Sequence, residues 1–423
     1  MDIRYRIHGG APLQGEVTIG GSKNAALPLM AASILADGET VFHNVPRIRD
    51  TVAMLETLEY LGATTSFQDG TVRIDPAGLK SRPIPSELVS KLRASVVLLG
   101  PLLARFGVVE MAYPGGCVLG KRPVGAHIAA LEQLGAQNMS TDAALHLQGT
   151  VTPGRVILPE ISVTATENAV MAAALMPGET RIDLAACEPH VQDVCRLVQK
   201  MGAEVEGIGS HTLLVRGKKS LRGVEHTVIP DYLEAGVMAI AALVTKGKIR
   251  IRNVDPEHLL SFFDTLHRAG GVCRIDEKEK TVFVDGELSI LNSIQVRTNI
   301  FPGFPTDLQA PTGVLMTQAK GVSRVFERLF EGRMAYLYEL EKMGAHVELL
   351  NAHQALVIGP TPLKGRVVAS NDIRAGAAMV LAGLCAEGET MITDVRYIER
   401  GYDRLDHKLL ALGARIERIE MTA

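Results

Sequence analysis

A Leu-Gly-Ala triplet, or a close relative of it, recurs six times at a nearly constant interval, and few folds can carry such a repeat. The six copies are Leu61-Gly62-Ala63, Leu134-Gly135-Ala136, Met201-Gly202-Ala203, Ala269-Gly270-Gly271, Met343-Gly344-Ala345 and Leu412-Gly413-Ala414. Their glycines lie 67 to 74 residues apart. Each follows a helical pattern such as Thr51 to Tyr60 and precedes a short alternating run, so each reads as the glycine just past a helix end. A second marker keeps the same phase: a small-residue helix ending at Gly38, Gly107, Gly178, Gly247, Gly321 and Gly388, each 23 to 28 residues before its partner glycine. Units of about 70 residues therefore hold two helices and several short strands. The Ala-rich helices, such as Ala239 to Thr245, are apolar nearly all round, which predicts burial inside the fold rather than on a sheet's outer face. The reading is α/β: two inside-out, barrel-like α/β domains, each of three βαβαββ-type repeats with buried helices. An ordinary doubly wound sheet predicts neither marker, and units this long favour closed domains over an open solenoid.

The boundaries expected are residues 1–22 with 231–423 for one discontinuous domain, and 23–230 for the other. The chain then crosses between domains twice, as in a hinge, and a cleft between hinged domains is the expected ligand site.

Chemistry concentrates in Pro114-Gly-Gly-Cys-Val-Leu-Gly-Lys-Arg-Pro123. Cys117 stands among three glycines and just before Lys121 and Arg122, a setting that lowers a thiol pKa and suits anion handling. The bland alternative is a Gly-rich connection with an inert cysteine. Lys23 and Asn24 follow Gly20-Gly-Ser22 at a helix start, a possible anion site, although no full P-loop pattern accompanies them. Arg93 opens an apolar run. Asp307 closes the proline-bracketed turn Pro302-Gly-Phe-Pro-Thr-Asp307, as a general base or as a cap for the next helix. Arg333, Arg374 and Arg400 recur at comparable phases near helix starts, with surface salt bridges as the plain alternative. A thiol, one or two carboxylates and several cations suit a substrate with both phosphate and carboxylate. His127 lies ten residues from Cys117, but nothing in the sequence ties it to the thiol as a hydrolase would need.

Bulk properties narrow the classes further. A net charge of −3, 4% aromatics and no tryptophan give no support to a nucleic-acid or membrane partner. Five cysteines without a CxxC pair or zinc spacing suggest a reduced, cytoplasmic protein with no metal and no cofactor.

The chain resembles the bacterial enolpyruvyl transferases of the UDP-N-acetylglucosamine 1-carboxyvinyltransferase family along essentially its whole length. The segments that carry the resemblance are Gly15 to Pro28, Arg93-Ala-Ser95, Gly100 to Gly107, Pro114-Gly-Gly-Cys117 with Arg122-Pro123, Phe304 to Ala310, Asp372-Ile-Arg-Ala375, Arg400-Gly-Tyr402 and Leu412 to Arg418. The related shikimate-phosphate transferases share the fold implied but lack this cysteine loop. The resemblance implies transfer of the enolpyruvyl group of phosphoenolpyruvate to the 3'-hydroxyl of UDP-N-acetylglucosamine, with release of phosphate, at the commitment to peptidoglycan. It implies Cys117 as proton donor, phosphoenolpyruvate-adduct site and fosfomycin target, on a closing loop. Asp307 would be the base. Lys23, Arg122 and Arg400, with Asn24 alongside, would hold the phosphate, and Arg333 and Arg374 the carboxylate. Arg93, Arg122, Pro123, Val124, Gly125, Ala126, Ser162, Val163, Asp307 and Leu329 would line the sugar nucleotide.

Departures from the family pattern fall where the nucleotide is expected. Gly125 stands where many members have aspartate, Glu160 where some have lysine, and Thr164 for a usual glycine. Tyr232 replaces a common arginine and Phe301 a common histidine. Two alternatives therefore stand beside the standard acceptor: a paralogue using another sugar nucleotide or nucleoside phosphate, and a non-catalytic nucleotide-sugar-binding protein.

Overall fold

The computed structural model describes residues 2–113 and 124–421. Cys117, Lys121, Arg122 and Pro123 lie outside the described residues. The chain divides into two compact units, one from residues 2–20 and 230–421 and the other from 21–113 and 124–229.

In the unit made of residues 2–20 and 230–421, three four-stranded sheets share one pattern. Gly321–Phe326 pairs parallel with Gln295–Arg297 and antiparallel with Gln354–Gly359, which pairs antiparallel with His346–Asn351. Lys248–Arg252 stands likewise between Gln14–Thr18 and Thr281–Asp285, with Val272–Asp276 at the edge. Glu389–Thr393 does the same between Val367–Ala369 and Asp2–His8, with Arg415–Met421 outside. Both N-terminal strands thus complete sheets whose other strands come from beyond residue 244. Alternation sets the faces: in Lys248–Arg252, Ile249 and Ile251 are buried while Arg250 and Arg252 point outward.

Tyr232–Val244, Gln309–Gln318 and Ile373–Cys385 pack against one another inside this unit. Every residue of Tyr232–Val244 is buried, as the all-round apolar pattern predicts. Gly313 makes room for a neighbouring helix: a Cβ there would lie 2.3 Å from the hydroxyl of Tyr336, the first residue of Tyr336–Lys342. The outer helices are amphipathic, for example Leu260–Arg268, which buries Phe262, Phe263 and Leu266.

The second unit repeats the sheet order around Thr40–His43 and Gly178–Asp183. Around Val108–Ala112 the parallel neighbour shrinks to a single bridge between Ile84 and Met111. Its buried helices are Lys23–Ala32, Leu99–Phe106 and Val163–Ala174. The last two touch where a Cβ on Gly100 would sit 2.3 Å from the Asn168 carbonyl oxygen; there Gly100 N donates to Asn168 Oδ1 at 2.6 Å.

All six glycines of the Leu-Gly-Ala repeat have φ between +85° and +125°, where an L-residue is strained.

Candidate active site

In the unit that includes residues 230–421, Asp307 lies in the single turn Thr306–Leu308 that leads into the buried helix Gln309–Gln318. The helix takes Leu308 at its N-cap position without a side-chain cap bond. The Asp307 carboxylate instead meets two buried arginines. Arg333 Nη1 donates to Oδ1 at 2.5 Å and Arg374 Nη2 donates to Oδ2 at 3.0 Å. Both arginines are only 6% exposed, so the surface-salt-bridge alternative does not describe them.

Each guanidinium is held from a second side. Arg333 also donates to the Thr306 hydroxyl at 3.1 Å and lies over the Phe330 ring at 4.8 Å. Its Nε is buried and has no hydrogen-bond partner among the described residues. Arg374 Nη1 donates to the Tyr402 hydroxyl at 3.1 Å, and its helix start is capped by Asp372, which accepts from the backbone N–H groups of Arg374 and Ala375. Burial works against the Arg374 charge, but Asp307 outweighs it, with Tyr402 and Asp231 adding, so the guanidinium pKa rises above its ordinary value. Burial pushes the Tyr402 phenol up to about 12 against the pull of Arg374. The carboxylate is held by one N–H from each of two oriented guanidinium groups, charge-assisted bonds of the kind arginine makes to carboxylate ligands. Arg400 ends the turn Val395–Arg400 two residues before Tyr402. Leu329 is exposed beside the Phe330 that supports Arg333.

In the other unit, Lys23 is the first residue of its helix, behind Ser22, whose hydroxyl accepts from Ala25 N. The Lys23 ammonium is buried against Asp50 Oδ2 at 2.6 Å, and Asn24 follows half-buried. Nothing in the sequence marked Asp50 as this partner, because a lone Asp in the first turn of Arg49–Leu61 reads as a helix-end charge.

The sugar-nucleotide candidates of this unit cluster at two helix starts. Val124 and Gly125 begin Gly125–Gln133, with Ala126 buried behind them, while Ser162 and Val163 begin Val163–Ala174. One bond joins the two starts: His127 Nε2 and the Thr164 hydroxyl lie 2.7 Å apart. Burial lowers the His127 pKa to about 4, so the ring is neutral near pH 7. Arg93 opens the turn Arg93–Leu98. Among the departures, Gly125 meets no neighbour within 4 Å among the described residues, Glu160 is exposed, and Tyr232 is buried with its ring edge-on to His258.

The four described cysteines are unlike the proposed reactive thiol. Burial raises the pKa of Cys187 to about 11 and of Cys195, Cys273 and Cys385 to about 12.

The family model for EPSP synthase (3-phosphoshikimate 1-carboxyvinyltransferase) matches residues 7–409, and the chain belongs to that enolpyruvyl transferase family. Within it, the chain is closely similar to UDP-N-acetylglucosamine 1-carboxyvinyltransferases. That of Granulibacter bethesdensis is 43% identical over 422 residues, covering 98% of this chain and 99% of the relative. That of Magnetococcus marinus is 40% identical over 415 residues, covering 98% of each. Among solved structures, the enolpyruvyl transferase NikO from Streptomyces tendae superposes with a TM-score of 0.89 at 25% identity, covering 99% of both chains. EPSP synthase from Acinetobacter baumannii gives 0.77 at 18% identity, covering 99% of this chain and 100% of the other, a likeness of fold.

Proposed function

We propose that this enzyme transfers the enolpyruvyl group of phosphoenolpyruvate to the 3'-hydroxyl of UDP-N-acetylglucosamine, releasing phosphate in the step that commits the sugar nucleotide to peptidoglycan. The observation that carries the reading is the Arg333–Asp307–Arg374 cluster. Its two guanidinium groups already grip one carboxylate, and Arg333 Nε is a further buried donor. When the carboxylate of phosphoenolpyruvate takes over those donors, Asp307 is released to accept the proton of the acceptor hydroxyl. The hydroxyl oxygen then bonds to C2 while Cys117 gives a proton to the methylene C3. In the second half, C3 returns a proton to the Cys117 thiolate and the C2–O bond to phosphate breaks; the phosphate leaves with the proton held by Asp307, so the thiol, the carboxylate and the carbon–carbon double bond are all restored. Lys23, Arg122 and Arg400, with Asn24, carry the phosphate charge through both halves. Lys121 and Arg122 alone favour thiolate at Cys117, and the arriving phosphate offsets them so that the thiol can act as an acid. The sugar nucleotide runs along Arg93, Arg122 to Ala126, Ser162, Val163, Asp307 and Leu329.

Each unit is taken as three βαβαββ-type repeats, an inside-out barrel with its helices in the middle, and the crossings at residues 22–23 and 230–231 as the hinge. We assign the enzyme to the cytoplasm, in keeping with cysteines that show no CxxC pair or zinc spacing.

A second reading, enolpyruvyl transfer to another sugar nucleotide or a nucleoside phosphate, draws on the Thr164–His127 bond and on Gly125, which lacks a side chain and has no neighbour within 4 Å of a Cβ among the described residues. Purified enzyme is tested for phosphate release from phosphoenolpyruvate with each acceptor in turn. Release that depends on UDP-N-acetylglucosamine supports the first reading. Release with another nucleotide alone selects the second, and release with none removes both.

A further inference from the structure

The residue that organises the carboxylate grip is absent from every set of site residues assigned above. Glu327 directly follows the strand Gly321–Phe326 and is fully buried. A buried carboxylate is costly unless its oxygens are satisfied, and here four donors converge on it. Oε1 accepts from the Thr298 hydroxyl at 2.9 Å and from the backbone N–H groups of Leu329 at 2.9 Å and Phe330 at 3.2 Å. Oε2 accepts from the Thr306 hydroxyl at 2.8 Å. Its backbone is held as well, since Glu327 N donates to the His353 carbonyl and His353 Nδ1 lies 2.9 Å from the Glu327 carbonyl oxygen.

These bonds reach Arg333 by two routes. The Thr306 hydroxyl has one proton, and because Glu327 takes it, its lone pairs face Arg333 Nη1. The Phe330 ring under Arg333 stands on a turn whose backbone N–H is fixed by the other carboxylate oxygen. The same oxygen holds Leu329 N. One buried carboxylate therefore sets the two neutral supports of Arg333 and the exposed Leu329 together.

We propose that Glu327 is a positioning residue for both substrates: through Thr306 and Phe330 it aims Arg333 at the phosphoenolpyruvate carboxylate, and through the 329–330 turn it presents Leu329 to the sugar nucleotide. The inference rests on the substrate assignments made under the proposed function. An acceptor-only group is required. Backbone N–H groups cannot reverse, so in Glu327→Gln the amide oxygen must face Leu329 and Phe330, and the amide N–H turns toward Thr306. That turns the Thr306 hydroxyl from donor to acceptor on this side and frees its proton to face Arg333.

The test is steady-state kinetics of full-length Glu327→Gln, Thr306→Val, Thr306→Ser, the double variant and Arg333→Lys, with thermal melting to establish the folded fraction. Glu327→Gln is expected to raise KM for phosphoenolpyruvate about tenfold and KM for the sugar nucleotide a few-fold. Thr306→Val is expected to reproduce only the first effect, Thr306→Ser to restore it, and the double variant to be no worse than Glu327→Gln. A folded Glu327→Gln enzyme with both KM values within twofold of wild type overturns the proposal, as does a lowered Tm with unchanged constants, which marks a purely structural role. Additive effects of Glu327→Gln and Thr306→Val overturn the Thr306 route. Arg333→Lys separates the levels: if it leaves KM for phosphoenolpyruvate unchanged, the carboxylate assignment itself fails and takes this inference with it.

Discussion

Replacing Asp307 by Ala leaves Arg333 and Arg374 facing each other without the carboxylate between them. Two charge-assisted hydrogen bonds disappear, each worth about 1.5–3 kcal/mol in a buried setting. The Asp307 side chain keeps 23% of its exposure, so solvent screens part of this. The net loss expected is about 2 kcal/mol, which for a unit of about 200 residues lowers its Tm by roughly 4–8 °C. Phosphoenolpyruvate should then do for the variant what Asp307 does in the native protein. Its carboxylate enters the vacated grip without displacing a competitor, so the ligand-induced rise in Tm should be larger in Asp307→Ala than in wild type. Turnover should nevertheless fall about 100-fold or more, because the general base is gone. Melting curves with and without phosphoenolpyruvate, beside phosphate-release rates, read all three quantities. A variant that melts with wild type and gains no more from phosphoenolpyruvate would refute the idea that Asp307 occupies the substrate's carboxylate position.

Other perturbations test other parts of the molecule. Lys23→Met removes the ammonium from the buried Asp50 carboxylate, and about 3 kcal/mol of stability should be lost in urea titrations, with a smaller loss when Asp50→Asn is added. Glu167 is buried with neither carboxylate oxygen hydrogen-bonded, and burial, with Glu188 adding, raises its pKa well above the ordinary carboxyl range. Its folded state binds the proton more tightly than the unfolded chain, so its contribution is full at low pH and is lost as pH rises through the folded value. Glu167→Gln should therefore match wild type near pH 4 and melt increasingly above it as pH is raised. His127 has the opposite sense, since its pKa falls to about 4 on folding: stability should drop as pH falls from about 6.5 toward 4, by about 3 kcal/mol, and His127→Gln should flatten that slope. A Cβ at Gly125 meets nothing within 4 Å among the described residues, so Gly125→Asp should fold normally and lower KM for UDP-N-acetylglucosamine several-fold, the worth of one added hydrogen bond.

The repeat was readable from the sequence because its markers are backbone requirements. A helix that stops in the left-handed region asks for glycine, and all six triplet glycines have that conformation. Buried helices announce themselves by lacking a polar stripe, as Tyr232–Val244 does. Asp307, Arg333 and Arg374 could be singled out as charged residues at turns and helix starts, and the fold brings the three together. Their partners carried no such signal. Asp50 is 27 positions from Lys23, and Glu327 reads as one more charge after a strand, although it satisfies four donors. The bond between His127 and Thr164 spans 37 positions and depends on how two helix starts meet. Such pairings follow from tertiary packing, which no local period encodes. Asp307 was open between cap and base on sequence alone. Its two guanidinium partners show a carboxylate turned away from the helix it precedes.

Whether this chain moves an enolpyruvyl group onto the 3'-oxygen of UDP-N-acetylglucosamine is decided by the structure of the reaction product. Purified enzyme is incubated with phosphoenolpyruvate and UDP-N-acetylglucosamine, and the nucleotide is recovered for mass spectrometry and NMR. The account predicts a sugar nucleotide heavier by one enolpyruvyl group, ether-linked at the 3' position, formed in equal amount with free phosphate. Unmodified UDP-N-acetylglucosamine from an enzyme that transfers the group to another acceptor would contradict it.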